Sequence, residues 1–299
     1  VNKAWSKSWV NGEGAFTDGN GHGTHVAGTI AALANNIGVV GVAPGAEVIS
    51  LKVFDSNGGG ASYSTIIDAV NYATQVINSN GLDKSKCVIN MSLGGWYSEG
   101  LDRAVKAAAD QGIKFAIAAG NSGQDADWYS PASAGDHNNV YTISAVDNQY
   151  QMPWWSNWDN PNGGDDVDYA APGVGVLSYY RGGNLAYLSG TSMAAPHVAG
   201  LLLSGDIKAG EMVTANGAGY ADPFALGTGT SKPEAKDANN DGLVDGVTNY
   251  QIFNNGEGIA ITNRRGLSYS DASSKHWDAV AATSNGSGYQ VLLDGAARH

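Results

Sequence analysis

Two short stretches of this chain gather the residue types that nucleophilic catalysis requires. GHGTHVAGT, from Gly21 to Thr29, carries two histidines, and GTSMAAPHVAG, from Gly190 to Gly200, carries a serine at the head of an apolar run. A serine hydroxyl is a weak nucleophile at neutral pH and needs a base within hydrogen-bond reach. Ser192 opens the segment Met193 to Leu203, which predicts a helix N-terminus whose free N–H groups and dipole favour developing negative charge. Pro196 is expected in the early part of that helix, where a missing N–H costs least. Taken alone, Ser192 reads first as a capping serine; the histidine stretch upstream turns the reading towards a nucleophile. His22 and His25 fall on one face of a helix starting near Gly21, and spacing does not choose between them. A zinc helix would need HExxH, and neither that spacing nor its glutamate is present. His197 reads as structural, and His137, His276 and His299 lack supporting context. Asn121, in AAGNSG, reads either as a turn asparagine or as an amide donor for an oxyanion.

Together the two stretches resemble the histidine and serine signatures of the subtilisin-like serine proteases, the subtilases. DADWYSPAS, from Asp125 to Ser133, is similar to the proteinase K branch. Chain order agrees, since subtilisins place histidine before serine whereas α/β-hydrolases run serine, acid, histidine. The resemblance implies that His22 is the base, Ser192 the nucleophile, and Asn121 with the backbone N–H of Ser192 the oxyanion donors. His25 is then a packed neighbour. Extended peptides bind by adding a strand to exposed backbone edges, and glycines permit close approach. By resemblance one such edge is Ser92, Leu93, Gly94 and Gly95, and the other Gly58, Gly59 and Gly60. Ala118, Ala119, Gly120 and Tyr129 would wall the primary specificity pocket, accepting apolar or aromatic residues. The family's triad aspartate precedes the histidine by roughly thirty residues, whereas twenty-one residues stand before His22. The expectation is that the acid lies upstream of Val1 and that the chain as given is nearly inert, because losing that acid alone costs about 3 × 10⁴ in turnover in a subtilisin. Asp18, four residues before His22, reads as a helix-terminus residue. A secreted endopeptidase with protein or peptide substrates and an N-terminal propeptide is implied; the second reading is a non-catalytic, subtilase-shaped binding or adhesion protein.

The elements that must position these residues alternate. Val48, Ile49, Leu51 and Val53 form a strand-like run, and Ile66, Val70, Ala73 and Ile77 recur at helical spacing after a glycine break. A strand over 88–93, a helix over 98–111 ended by Gly112, and a strand over 113–118 repeat the pattern. Such alternation predicts an α/β fold, by resemblance a doubly wound parallel sheet with helices on both faces. Its ligands would sit beyond the carboxyl ends of the strands. The expected peptidase domain covers residues 1–210, with a linker over 211–236. Residues 237–299 hold an Asp/Asn-rich turn and part of a small β-rich C-terminal module, with strand-like runs at 250–253, 258–262 and 289–293 and with Trp277 and Tyr289 read as packing aromatics.

Composition narrows the partners. The 299 residues include 16 basic and 28 acidic side chains, a net charge of −12 that argues against nucleic acid and anionic membrane surfaces. Cys87 is the only cysteine, so no internal disulfide or cysteine zinc cluster can form. Calcium is the one cofactor suggested. LANNIGV resembles the family's calcium loop, which implies oxygens from the carbonyls of Leu33, Ile37 and Val39 and from the side chain of Asn35, with the family's carboxylate partner expected upstream of Val1 and the site therefore expected to be incomplete. DANNDGLVD, from Asp237 to Asp245, matches the front of an EF-hand loop through Asp237, Asn239, Asp241, Leu243 and Asp245. Thr248 stands at the twelfth position where a glutamate is usual, so an Asx-rich turn is the equal alternative.

Overall fold

The computed structural model describes residues 1–35, 37–160, 166–215 and 221–228, and the backbone of 251–254, 257–260, 277–284 and 289–295. In chain order the elements are β1 (Lys7–Ser8), α1 (His22–Ala31), β2 (Leu51–Lys52), α2 (Tyr63–Ser79), β3 (Val88–Met91), β4 (Gly95–Trp96), α3 (Glu99–Ala109), β5 (Lys114–Ala118), β6 (Tyr129–Ser130), β7 (Val140–Val146) and β8 (Tyr169–Pro172). They continue with β9 (Val176–Tyr179), β10 (Leu185–Leu188), α4 (Thr191–Ser204), β11 (Ile207–Met212) and β12 (Pro223–Gly227). The contacts separate two units, 1–229 and 230–299. Within the second, Gln251–Asn254 pairs antiparallel with Glu257–Ala260, and Trp277–Ser284 with Tyr289–Gly295.

The first unit is a six-stranded sheet in the order β11-β12-β8-β7-β5-β3. Every neighbour pair is parallel except β11 with β12. The sheet thus runs past the expected domain boundary: residues 211–236, expected as linker, contain the end of β11 and all of β12, whose Phe224 registers with Ala170. Gly/Ala/Thr composition suggested a linker, but the β8 edge supplied a partner. The apolar run 48–53 yields only the two residues of β2, which pair with β1 in a separate parallel ladder. Among the described residues, β3 ends the main ladder.

Alternation along β5 decides what covers each face. Phe115 and Ile117 join Ile66, Val70 and Ile77 of α2 and Leu101, Val105 and Ala108 of α3 in one buried cluster. Ala116 and Ala118 point the other way, with Ile143, Ala145 and Ala171, against Ala194, Ala195, Val198, Ala199 and Leu202 of α4. The period of two in a strand produces this division. Because alanines face α4, the helix can lie close to the sheet, carrying its first turn to the carboxyl ends of β3 and β5. Substituting Ala116→Leu, at a position with no exposure, is expected to overpack this interface by about 1–3 kcal/mol. Thermal melting checks it, and an unchanged Tm would contradict the close approach.

Candidate active site

The first turn of α4 is tied to two separate strand ends, and each tie has a local cause. Pro196 is the sixth residue of α4 rather than one of its first few, so its missing N–H deprives the carbonyl of Ser192 of its i+4 donor. The hydroxyl of Ser92, just beyond β3, donates to that carbonyl at 2.7 Å. In return the hydroxyl of Ser192 donates to the carbonyl of Ser92 at 3.3 Å. The expectation that Pro196 sits where it costs little is therefore corrected: it creates an orphan acceptor, and a side chain from another strand satisfies it.

Asn121 is held from the other side. Its carboxamide oxygen accepts from the backbone N–H of Thr191 at 2.8 Å and from the Thr191 hydroxyl at 3.0 Å. A backbone N–H can only donate, so this contact fixes which end of the amide is oxygen. The NH₂ group is turned away from Thr191 and remains a donor. The Thr191 hydroxyl in turn accepts from the N–H of Gly120 at 3.0 Å. Met193 N–H bonds back to Gly190, while Ser192 N–H, in the first turn, has no backbone partner among the described residues. A Cβ built at Gly190 would lie 3.6 Å from the Asn121 amide nitrogen and 3.7 Å from the Ser192 nitrogen, so the amide and backbone donors border one point at the start of α4.

The loop bearing Asn121 is pinned by a residue that sequence reading missed. Asn157, fully buried, donates to Ala119 O at 2.9 Å and accepts from Ser122 N–H at 2.9 Å and Gln124 N–H at 3.2 Å. Gly120 has φ +111°, and a Cβ there would collide with the Asn157 amide, so glycine is required. Thr191 was inside a recognised motif yet went unassigned; Asn157 carried no signal, lying more than thirty residues from the loop it holds.

His22 is the first residue of α1, which packs against α4. Burial lowers its pKa below the ordinary histidine value, with His25 adding to the effect and Asp18 opposing it. No hydrogen bond joins its imidazole to another described residue. Asp18 is engaged elsewhere: its carboxylate accepts from Gly21 N–H at 2.7 Å, Thr24 N–H at 2.8 Å and Thr24 hydroxyl at 2.6 Å. It caps α1 from three residues ahead, because the N-cap itself is Gly21, with no side chain to offer. Burial would raise the Asp18 pKa, but the bonds from Thr24 and Gly21 hold it below its usual range. His25 is fully buried, and its Nε2 faces the carbonyls of Val176 at 2.9 Å and Ala186 at 3.1 Å. Two acceptors fix the proton on Nε2 and tie α1 to the β9–β10 hairpin. His197 donates from Nδ1 to Met193 O at 2.8 Å within α4.

The expected peptide-binding edges are brought together in part. Tyr63, three residues beyond Gly60, donates its hydroxyl to Trp96 O at 2.5 Å, which draws the Gly58–Gly60 loop to the Ser92–Gly95 segment. That segment is shorter as an edge than expected: Gly95 already pairs with Ser130 in the β4–β6 ladder, and Ser92 O is taken by Ser192. Leu93 and Gly94 remain. Ala118 and Ala119 are buried at the end of β5, with Gly120 following. Tyr129 stacks on Trp96, with ring centroids 5.2 Å apart, and its hydroxyl meets Gln124.

The family model for subtilases matches residues 1–204. The chain belongs to the subtilase family. It is 45% identical over 194 residues to subtilisin DY of Bacillus licheniformis, covering 64% of this chain and 66% of that one. It is 47% identical over 191 residues to cerevisin of Saccharomyces cerevisiae, covering 62% of this chain and 28% of the relative. A solved cold-adapted subtilisin-like serine proteinase superposes with TM-score 0.56 at 36% identity, over 66% of this chain and 64% of that one. The chain thus spans at most about two-thirds of these subtilases.

The oxygens of the expected calcium loop already accept hydrogen bonds, each with a second lone pair left. Leu33 O accepts from Asn35 N–H at 3.0 Å, Asn35 Oδ1 from Ile37 N–H at 3.1 Å, and Ile37 O from the Tyr179 hydroxyl at 2.7 Å. Two of the four expected ligands thus bond within the loop and a third to Tyr179, Val39 being the fourth; the four alone carry no charge and are fewer than the six to eight oxygens calcium takes, in keeping with the incomplete set expected from the sequence. Among the described residues no group of three or more His, Cys, Asp and Glu side chains is arranged to hold a metal. Asp237, Asn239, Asp241, Leu243 and Asp245 lie outside the described residues.

Two outcomes follow from these contacts. Ser92→Ala should destabilise the fold by about 1–3 kcal/mol by leaving Ser192 O buried without a donor. Pro196→Ala, which returns the helical N–H, should remove much of that penalty; equal losses in both backgrounds, by urea unfolding, would refute the coupling. Asp18→Ala should cost about 1 kcal/mol at neutral pH. Because the folded-state pKa is depressed, that stabilisation is present above the ordinary carboxylate pKa and disappears as pH falls through the folded value. Melting curves of the two proteins should therefore converge in acid.

Proposed function

We propose that this chain is the catalytic portion of a serine endopeptidase acting on polypeptides. One observation carries the reading: the Thr191 N–H fixes the Asn121 oxygen and leaves its NH₂ as a donor near Gly190, where the Ser192 nitrogen also lies. In this mechanism the Ser192 hydroxyl leaves its contact with Ser92 O and attacks the scissile carbonyl. His22 takes the proton and returns it to the leaving amine, regenerating a neutral imidazole. The developing oxyanion receives hydrogen bonds from Asn121 and the Ser192 N–H, in a first helical turn that already favours negative charge. Loss of one such donor in a subtilisin costs about 10² to 10³ in turnover. The substrate lies against Leu93 and Gly94, with Gly58–Gly60 opposite, and an apolar or aromatic side chain before the scissile bond meets Ala118–Gly120 and Tyr129. An extracellular site of action and synthesis with an N-terminal propeptide belong to the same reading and rest on family membership.

The chain by itself works slowly in this proposal, since no described carboxylate contacts the His22 ring and Asp18 is committed to its helix. Fluorophosphonate labelling tests both parts. Residues 1–299 are expected to label at Ser192, only with His22 present, at a rate about 3 × 10⁴ below subtilisin DY. Labelling should persist below about pH 6.5, where a free histidine is already mostly protonated, and fail only in more acidic solution, because burial depresses the His22 pKa. A rate comparable to subtilisin DY would overturn the inertness. No labelling of Ser192 at any pH would favour a non-catalytic binding protein of subtilase shape.

A further inference from the structure

An open depression of about 550 Å³ is lined by Trp96, Tyr97, Asp127 and Trp128. Its three aromatic residues are 68%, 58% and 54% exposed, a concentration of uncovered rings at one place on the surface. The rings are held rather than dangling. Trp96 stacks on Tyr129 with an interplanar angle of 19°, so one indole face is covered and the opposite face is presented to solvent. Tyr97 N–H bonds to Trp128 O at 2.9 Å, joining the two walls. The short helical turn Ala126–Trp128 is capped by Asp125, whose carboxylate accepts from Asp127 N–H at 3.1 Å. This places the Asp127 side chain among the rings.

We propose that this depression binds the guanidinium of an arginine in the polypeptide substrate. An aromatic face with a carboxylate beside it matches a planar, weakly hydrated cation, which stacks on indole and still offers N–H donors to an acid. A net charge of −12 favours a cationic occupant over an anionic one. The polypeptide substrate is the expected source because the depression lies a few residues along the chain from the segment that touches Ser192. Ser92 touches Ser192, and Trp96 follows four residues later, about 13 Å away at strand spacing. Tyr129, beneath Trp96, was assigned to the primary pocket. The inference deepens the peptidase reading and rests on it for the identity of the ligand, but not for the pocket's chemistry.

The test uses full-length Ser192→Ala protein, which binds without cleaving. Peptides carrying arginine three, four or five residues before a phenylalanine are compared with the same peptides carrying citrulline, which keeps the shape and removes the charge. At one of the three positions arginine should bind about three- to thirtyfold more tightly, with the advantage shrinking in high salt. Trp128→Ala and Trp96→Leu should abolish the difference, and Asp127→Asn should reduce it, each in protein whose melting temperature matches the parent. Equal binding of the arginine and citrulline peptides at all three positions overturns the proposal. So does an advantage that survives loss of Trp128, or preference for phenylalanine or an oligosaccharide over arginine at the site. Tryptophan fluorescence with Nα-acetylarginine amide separates the two readings. Quenching that requires Trp128 in protein whose Ser192 never labels leaves the cation site standing without the peptidase; labelling at Ser192 without discrimination removes the cation site alone.

Discussion

The exchange of hydrogen bonds between Ser92 and Ser192 holds the candidate centre in place. Its origin lies in a proline. Without an N–H at Pro196, the carbonyl of Ser192 has no helical partner, and an unpaired acceptor beside a core of alanines would be costly. The Ser92 hydroxyl supplies the donor and so fixes the start of α4 to the end of β3. The defect in the helix is what permits a bond between two elements far apart in sequence, and that bond fixes the position of the Ser192 backbone relative to the sheet edge.

The same economy of polar groups governs the loop after β5. Thr191 uses its N–H and hydroxyl on one oxygen of Asn121, while Asn157 answers three backbone groups of the loop. Each bond satisfies a backbone or side-chain polar group of the loop, and together they leave the NH₂ end of the Asn121 amide unengaged. Orientation of the donor thus follows from accounting for every neighbouring N–H and C=O.

His22 differs in being positioned by its helix alone. Asp18 sets the first turn of α1 through three hydrogen bonds, and His25 locks the next turn against the β9–β10 hairpin. Gly21 is obligatory between them: its φ is +96°, and a Cβ would strike the Tyr180 ring. Asp18 therefore influences the imidazole through the backbone and through charge at a distance, not by contact, which is why a nearby acid does not amount to a triad member.

Several features were legible in the residues themselves. Helical spacing located α2, alternation with a closing glycine located α3, and the apolar run after Ser192 located α4, each to within a few residues; the two motifs pointed to His22 and Ser192, and the AAGNSG loop to Asn121. Short strands were less legible: the run 48–53 keeps only two paired residues, and β12 was hidden in a stretch with linker composition, since pairing depends on a partner edge that local sequence does not specify. The oxygens of the loop over 33–39 likewise found partners that local sequence does not specify, in Tyr179 and in the loop itself. Sequence alone determined which side chains are chemically able to act. Only the tertiary structure decided which of their lone pairs and protons are left over, because hydrogen bonds between Ser92 and Ser192, Asn157 and Ala119, or Tyr63 and Trp96 join residues tens of positions apart, where no local pattern records them.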